Sequence, residues 1–181
     1  MTFELKIDEN DYLTYQLFVA SKSATIQRKR KRNKIILPIF YLVLGASGFY
    51  QNNQLMGILF CVFAVLWFFI YPLWDRNNYI RHYKNFIKEN LKDGFGKSAF
   101  LEISNEHIFV QDEFNETKVS TREIDEIYEI STTIYIRMKK GKTFIIPKDK
   151  IAEIENLKSV LTELANFLKI NYVVDENWKW K

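Results

Sequence analysis

The sequence lacks charge in one long stretch and has almost no cysteine. Residues 35–74 contain no Asp, Glu, Lys, Arg or His, although 27% of the 181-residue chain is charged. A gap of this length is not expected on a soluble surface, and it predicts an integral membrane protein. The single cysteine, Cys61, lies inside the gap, which excludes a secreted disulfide scaffold. Hydrophobic residues make up 48% of the chain, which argues against disorder.

Four polar residues divide the uncharged stretch into two apolar runs, 35–50 and 55–74. As helices these runs measure roughly 24 Å and 30 Å, against about 30 Å for the hydrocarbon core of a bilayer. The turn-prone sequence 51–54 is short enough to join antiparallel neighbours. Residues 35–74 are therefore predicted to form a two-helix transmembrane hairpin.

Basic residues flank the hairpin on both sides, whereas the turn between its helices has no charge. Because basic flanks remain on the cytoplasmic side, we predict a multi-pass protein with both termini in the cytoplasm. A basic run can also indicate a nucleic-acid patch, but beside a spanning helix the topological interpretation needs no further assumption, and no nucleic-acid partner is expected. The topology-determining residues are Arg28, Lys29, Arg30, Lys31, Arg32, Lys34, Arg76 and Arg81.

Small residues and prolines within the runs predict how the helices begin and pack. Pro38 is expected in the first turn of the first helix, where its missing N–H removes no internal bond. Gly45, Gly48 and Gly57 permit close approach of backbones, and Cys61 is interpreted as another small packing residue. We also expect the small-residue faces to support self-association.

The segments next to the hairpin carry their own patterns. Within 1–34, alternating residues 2–7 predict a strand, and Asp8 predicts the start of an amphipathic helix that continues into the basic flank. Within 75–97, apolar residues at helical spacing predict a stalk helix that ends near Asp93-Gly94.

From residue 98 the apolar period changes from 3.6 to 2, which predicts a sheet domain over 98–181. Short turns between consecutive strands favour an antiparallel meander, closed by a helix from about Lys148. If the N-terminal strand joins, the sheet has seven strands. The predicted strands are Ala99–Ile103, His107–Gln111, Thr117–Thr121, Ile124–Ile130, Thr133–Lys139 and Lys142–Pro147.

This plan predicts an α+β integral membrane protein with a cytoplasmic, antiparallel, pleckstrin-homology-like sheet and a C-terminal helix. Residues 3–13, the hairpin, and the segments 124–130, 134–136 and 144–148 carry a further similarity. Through them the chain resembles the YcxB-like family of small bacterial membrane proteins. It implies the same fold and a location in the bacterial cytoplasmic (inner) membrane, but it implies no activity.

No enzymatic pattern is found in the sequence. His82 and His107 lie in different predicted elements without metal-ligand spacing, and no phosphate loop or nucleophile elbow occurs. We therefore predict no catalytic residue, no metal and no cofactor. An acidic group, Asp125, Glu126 and Glu129, is interpreted as a solvated strand edge, with Glu126 on the opposite face from the other two.

The basic turn formed by Lys139, Lys140 and Lys142 is the local feature that most suggests a ligand, because such loops hold phosphorylated headgroups. The competing interpretation is an ordinary hairpin turn. The closing sequence 178–181 suits either a membrane interface or a frayed end. The favoured hypothesis is a non-enzymatic, membrane-anchored interaction or scaffolding module that binds the lipid bilayer and a protein partner, self-association included. An anionic-lipid-binding module and an uncharacterised membrane enzyme remain alternatives.

Overall fold

A computed structural model describes residues 2–91, 95–113 and 115–181. The chain divides into two compact units, which we call the body (Met1–Tyr15 and Ile87–Lys179) and the hairpin unit (Gln16–Phe86 and Trp180–Lys181). The helices are α1 (Glu9–Lys22), α2 (Ala24–Tyr50), α3 (Gln54–Asn90) and α4 (Ile154–Leu168). The strands are β1 (Thr2–Lys6), β2 (Ser98–Ile103), β3 (His107–Gln111), β4 (Glu116–Ser120), β5 (Ile124–Ile130), β6 (Thr133–Met138), β7 (Thr143–Pro147) and β8 (Asn171–Asp175).

The body contains two four-stranded sheets. The first has the order β1-β2-β3-β4 and is antiparallel throughout, with Phe3 opposite Leu101. The second has the order β7-β6-β5-β8, in which β8 runs parallel to β5 and the other pairs are antiparallel. The N-terminal strand therefore completes the first sheet, although the whole hairpin lies between β1 and β2 in the sequence.

One apolar core joins both sheets to α4. Leu101 of the first sheet, Ile134 and Ile136 of the second, and Leu157 and Leu161 of α4 are all completely buried in it. Because the buried leucines recur at helical spacing, α4 presents one apolar face to this core, as its sequence predicts. Ile134 and Ile136 lie two positions apart on β6 and therefore share one face of the strand.

The sheet domain departs from the sequence prediction at its C-terminal end. The closing helix begins at Ile154 rather than near Lys148, because Lys148–Lys150 form a 3₁₀ turn and Ile151 is extended. After α4, Lys169 adopts a left-handed conformation that ends the helix, and β8 follows. The prediction of one antiparallel sheet of six or seven strands is also wrong, because the strands divide between β4 and β5 into two sheets. Consecutive strands within each sheet are antiparallel as predicted, whereas β8 was not predicted and runs parallel to β5.

The helices of the hairpin unit are longer than the apolar runs. The hydroxyl of Ser23 accepts a hydrogen bond from the Ile26 amide, so a new helix begins at Ala24 and α1 does not continue into the basic flank. Pro38 consequently lies inside α2, and its prediction as a first-turn residue is wrong. The stalk is the continuation of α3 to Asn90, whereas the predicted end at Asp93-Gly94 lies outside the described residues.

The two long helices are antiparallel and approach closely through glycine. A Cβ atom on Gly48 would lie 2.9 Å from the backbone nitrogen of Gly57, and one on Gly45 would lie 3.2 Å from its carbonyl oxygen. Side chains of this size would push the backbones apart, which confirms the predicted packing role of the glycines. The face on which we placed self-association is thus occupied by the second helix of the same chain.

Helices α2 and α3 are long and apolar enough to cross a membrane. Their 27 and 37 residues correspond to about 40 Å and 55 Å of helix. Unlike the core residues of the body, their large apolar side chains lie outside, with 62% of Val43 and 69% of Phe69 exposed.

Candidate functional site

A buried ion pair joins α2 to α3 at the end of the hairpin that carries the basic flanks, which we call the charged end. Asp75 is only 5% exposed. One of its carboxylate oxygens accepts a hydrogen bond from Arg30 Nε at 2.5 Å, and the other accepts one from the Tyr71 hydroxyl at 3.1 Å. Asp75 is the only acidic residue between positions 12 and 88, so the one acidic side chain of the hairpin is ion-paired.

The C-terminal residues pack on the same ion pair. Arg30 donates a second hydrogen bond to the main-chain oxygen of Lys181 at 2.6 Å. The Trp180 ring lies 4.5 Å from the guanidinium carbon of Arg30 and 5.5 Å from the Tyr79 ring, and it is only 8% exposed. Trp180 is therefore neither a frayed residue nor a residue exposed for a membrane interface. It covers the guanidinium by a cation–π contact.

A cleft of about 360 Å³ opens beside the ion pair, between α2 and α3. The lining residues of α2 and those of α3 both recur at helical spacing, so each helix contributes a single face to the cleft. The lining combines cationic, amide and aromatic side chains around a single carboxylate. These side chains are Lys29, Arg30, Asn33, Tyr71, Trp74, Asp75, Asn78, Tyr79 and His82.

The predicted topology-determining residues do not form one uniform group. Arg30 is drawn into the ion pair, and Lys34 Nζ lies 4.1 Å from the centre of the Phe68 ring. The others are exposed: Arg28, Lys29, Lys31, Arg32, Arg76 and Arg81. Arg30 could not be separated from its basic neighbours by local pattern, since the distinguishing signal is the distant Asp75.

The predicted lysine site lies on the turn between β6 and β7. Gly141 has a φ of +83°, which suits glycine in a tight turn. Lys139 Nζ donates to the Arg122 carbonyl oxygen at 2.7 Å, and Lys140 Nζ lies 3.7 Å from a Glu123 carboxylate oxygen. Lys142 is exposed. Two of the three lysines thus contact the 3₁₀ turn before β5, and headgroup binding by this turn stays a prediction.

The acidic group on β5 is not a single solvated edge. Glu129 is only 4% exposed, and its carboxylate is bound by Lys148 Nζ at 2.5 Å, Lys158 Nζ at 3.2 Å and the Tyr172 hydroxyl at 2.6 Å. Burial by itself raises the pKa of Glu129, but the hydrogen bonds from Lys148, Tyr172 and Lys158 outweigh it and hold the pKa below its ordinary value. The prediction of a solvated Glu129 is therefore wrong.

The other two acidic residues share a partner across the strands. A register shift between Ile124 and Glu126 interrupts the pairing of β5 with β6. Arg137 donates to Asp125 from Nε at 3.1 Å and also pairs with Glu126. The predicted placement of Glu126 away from Asp125 is thus wrong, because a bulge breaks the simple alternation of faces.

A second ion-pair cluster in the body connects α1 to the turn after β7. Lys150 Nζ lies 2.6 Å from an Asp8 carboxylate oxygen and 2.5 Å from one of Asp11. Asp8 also accepts from the Asn10 and Asp11 amides, which confirms the predicted helix start. The hydrogen bond from Lys150 lowers the pKa of Asp8 despite its partial burial.

Within residues 2–91, 95–113 and 115–181, no three His, Cys, Asp or Glu side chains group in a way that could hold a metal ion. Comparisons of the chain with protein-family models, curated proteins and solved structures found no match.

Proposed function

We propose that this protein is a non-enzymatic, membrane-anchored interaction module, held in the bacterial inner membrane by α2 and α3 and presenting its body to the cytoplasm. The observation that carries the proposal is the inverted distribution of apolar side chains. The large apolar residues of the hairpin lie outside, while the body encloses its own in a core. A lipid bilayer is the solvent that favours apolar side chains on the outside of a helical hairpin.

The pairing of β1 with β2 supports the predicted topology independently of charge. These strands are adjacent in one sheet, yet the hairpin lies between them in the sequence. Strands cannot pair across a bilayer, so both ends of the hairpin would have to lie on one side of it. The six basic residues of 28–34 favour the cytoplasmic side.

The strand order supports a pleckstrin-homology-like body of the kind that the YcxB-like resemblance implies. Four strands in sequential order form one sheet, and β5, β6 and β7 form the next, followed by the amphipathic α4. The parallel β8 is an addition to that plan. The resemblance thus supports the fold of the body but names no partner. The partner has to be inferred from the exposed surface of the body.

The edge of β8 is the surface on which we place the protein partner. Natural sheets protect their edges with charges or proline. Glu116 and Lys118 serve this purpose on β4, and Pro147 ends β7. In contrast, the centre of β8 is Val173-Val174, and Val174 is 56% exposed. A partner strand could add here through backbone hydrogen bonds.

Site-specific photo-crosslinking in membranes tests the proposed interaction. A photoreactive amino acid at Val174 should give a discrete protein adduct that persists at high salt, because apolar strand pairing depends little on ionic strength. The matched control is the same substitution at Lys118 on the charged edge, which should give no such adduct. Equal adducts at both positions, or none at Val174, would contradict the assignment of this edge.

Fractionation tests the membrane anchor separately. The full-length chain should stay in the membrane pellet after an alkaline wash and be released by detergent. Recovery in the supernatant without detergent would reject the anchor.

A further inference from the structure

We propose that the cleft at the charged end of the hairpin binds the phosphate-ester headgroup of one anionic phospholipid. This inference rests on the proposed membrane anchor and deepens it by naming the lipid class. It concerns a different place from the lysine turn, since the cleft is built entirely from α2 and α3.

The electrostatics of the cleft favour an anion. Its single carboxylate, Asp75, is already bound by Arg30 and Tyr71. Because no other acidic residue occurs between positions 12 and 88, the charge of Lys29 is not neutralised by any side chain of the hairpin helices. A phosphate diester carries one negative charge and would match this excess.

The donors of the cleft are held in place before a ligand arrives. Asp75 and the main-chain oxygen of Lys181 each take one hydrogen bond from Arg30, and Trp180 packs on its face. A guanidinium has five N–H donors, so donors remain beyond those two bonds. The amides of Asn33 and Asn78 also line the cleft. Ordering the arginine in advance reduces the entropic cost of binding.

The position of the cleft distinguishes a lipid from a soluble anion. Lys34 and Asp75 mark the ends of the uncharged stretch, so the cleft lies at the depth where phosphates of a bilayer lie. Trp74 lines it, and Ile36 and Leu73, which belong to the two apolar runs, are exposed. A headgroup in the cleft could therefore extend its acyl chains along an apolar surface, and basic pockets between spanning helices are known lipid sites.

Native mass spectrometry of the full-length protein in detergent tests the proposal. The protein is mixed with phosphatidylglycerol and phosphatidylcholine of identical acyl chains. The test variant is Lys29→Gln with Asn78→Ala, and the matched control is Lys31→Gln with Asn77→Ala, which removes the same charge outside the cleft. We expect phosphatidylglycerol adducts to fall about fivefold in the test variant and less than twofold in the control.

Two further arms identify the source of the phosphate and the state of the variants. Excess inorganic phosphate should leave the lipid adduct in place, and Lys29→Arg should retain it. The proposal would be overturned if both double variants lost phosphatidylglycerol adducts equally, or if the wild-type protein retained phosphatidylglycerol and phosphatidylcholine equally. Displacement of the bound lipid by inorganic phosphate would overturn it as well. All variants should remain in the membrane pellet after the alkaline wash, so failure of lipid selectivity and failure of the anchor give different results.

Discussion

Among the described residues, the body and the hairpin unit each bury one carboxylate, and the two sites differ in what surrounds them. Glu129 is bound by two lysines and the Tyr172 hydroxyl, and Asp75 by one arginine and the Tyr71 hydroxyl. In the body, the cluster connects β5 to α4, β8 and the turn after β7. In the hairpin unit, the pair connects two helices.

The apolar residues near these two clusters are arranged in opposite ways. Ile127 and Ile130 on β5 are almost completely buried, whereas Ile70 and Leu73 beside Tyr71 are more than half exposed. In the body, the Glu129 cluster is therefore a polar group inside an apolar interior. At the charged end of the hairpin, the polar residues Asp75 and Tyr71 are buried, and the apolar residues beside them lie outside. This contrast is what a water-facing unit and a lipid-facing unit would require.

The largest expected effect comes from separating β1 from the body. Phe3 and Leu5 are buried in the core of a sheet whose other strands begin at residue 98. Burial of two such side chains contributes about 3–6 kcal/mol, which is much of the stability of a small domain. We expect the fragment 98–181 to lack cooperative unfolding by circular dichroism.

The control for this prediction keeps β1 and removes the hairpin together with the end of α3. Residues 1–22 joined by a flexible linker to residues 95–181 should unfold cooperatively without detergent. If the fragment 98–181 folds as stably as this joined chain, then β1 is dispensable and the topological argument from its pairing loses its basis.

The next largest effect is expected for Glu129→Gln in the joined chain. Loss of the buried charge leaves Lys148 without its partner, which should lower the free energy of unfolding by about 3 kcal/mol. Glu155→Gln is the matched control, because Glu155 is an exposed partner of Lys158, and it should cost less than about 0.5 kcal/mol. Chemical denaturation measures both values.

The stability difference between the wild-type joined chain and Glu129→Gln should also depend on pH. Because the folded chain lowers the pKa of Glu129 below its ordinary value of 4.5, its stabilising contribution is complete above that pH. The contribution is lost as the pH falls through the lowered pKa. The wild-type chain should therefore lose its advantage over Glu129→Gln in acid, and a constant difference down to acid pH would reject the ion-pair explanation.

A smaller effect is expected from Gly48→Leu in the full-length protein in detergent. The new side chain would meet the backbone of α3, so the helices have to separate, at a cost of about 1–3 kcal/mol. Ser47→Leu places the same side chain at an exposed position of α2 and should leave the melting temperature nearly unchanged. Equal melting temperatures of the two variants would contradict the close approach at Gly48.

The smallest effect is expected at the β6–β7 turn. Lys139 and Lys140 already contact the 3₁₀ turn before β5, so replacement of Lys139, Lys140 and Lys142 by alanine should change the binding of the joined chain to anionic vesicles less than twofold. A steep, salt-sensitive loss would instead favour the alternative of a lipid-binding body.

Sequence periodicity predicted the local elements well where one face is buried. The bounds of β3 and β5 agree with the structure, and the helix predicted after the last predicted strand is present as α4, with one buried apolar face. The connection predicted at 51–54 is confirmed for residues 51–53, since Asn52 adopts a left-handed conformation and Asn53 accepts from the Met56 amide, while Gln54 already begins α3. These features depend on neighbours in the sequence, which a pattern can record.

Features that depend on distant residues could not be predicted in the same way. β8 has only two apolar residues at its centre, so its own pattern is weak. It pairs with β5, which lies 40 or more positions earlier in the chain. The Arg30–Asp75 pair and the Glu129 cluster likewise join residues far apart in the chain. The one available signal was Asp75 itself, an acidic residue isolated at the end of an uncharged stretch.

Labelling of single cysteines in intact cells tests the central claim most directly. In a Cys61→Ala background, Gln51→Cys lies in the turn of the hairpin, and Glu106→Cys and Lys142→Cys lie in the body. A membrane-impermeant maleimide should label Gln51→Cys from outside and label the two body positions only after the cells are permeabilised. Labelling of either body position in intact cells, or labelling of Gln51→Cys only after permeabilisation, would contradict a hairpin that crosses the membrane with both flanks in the cytoplasm.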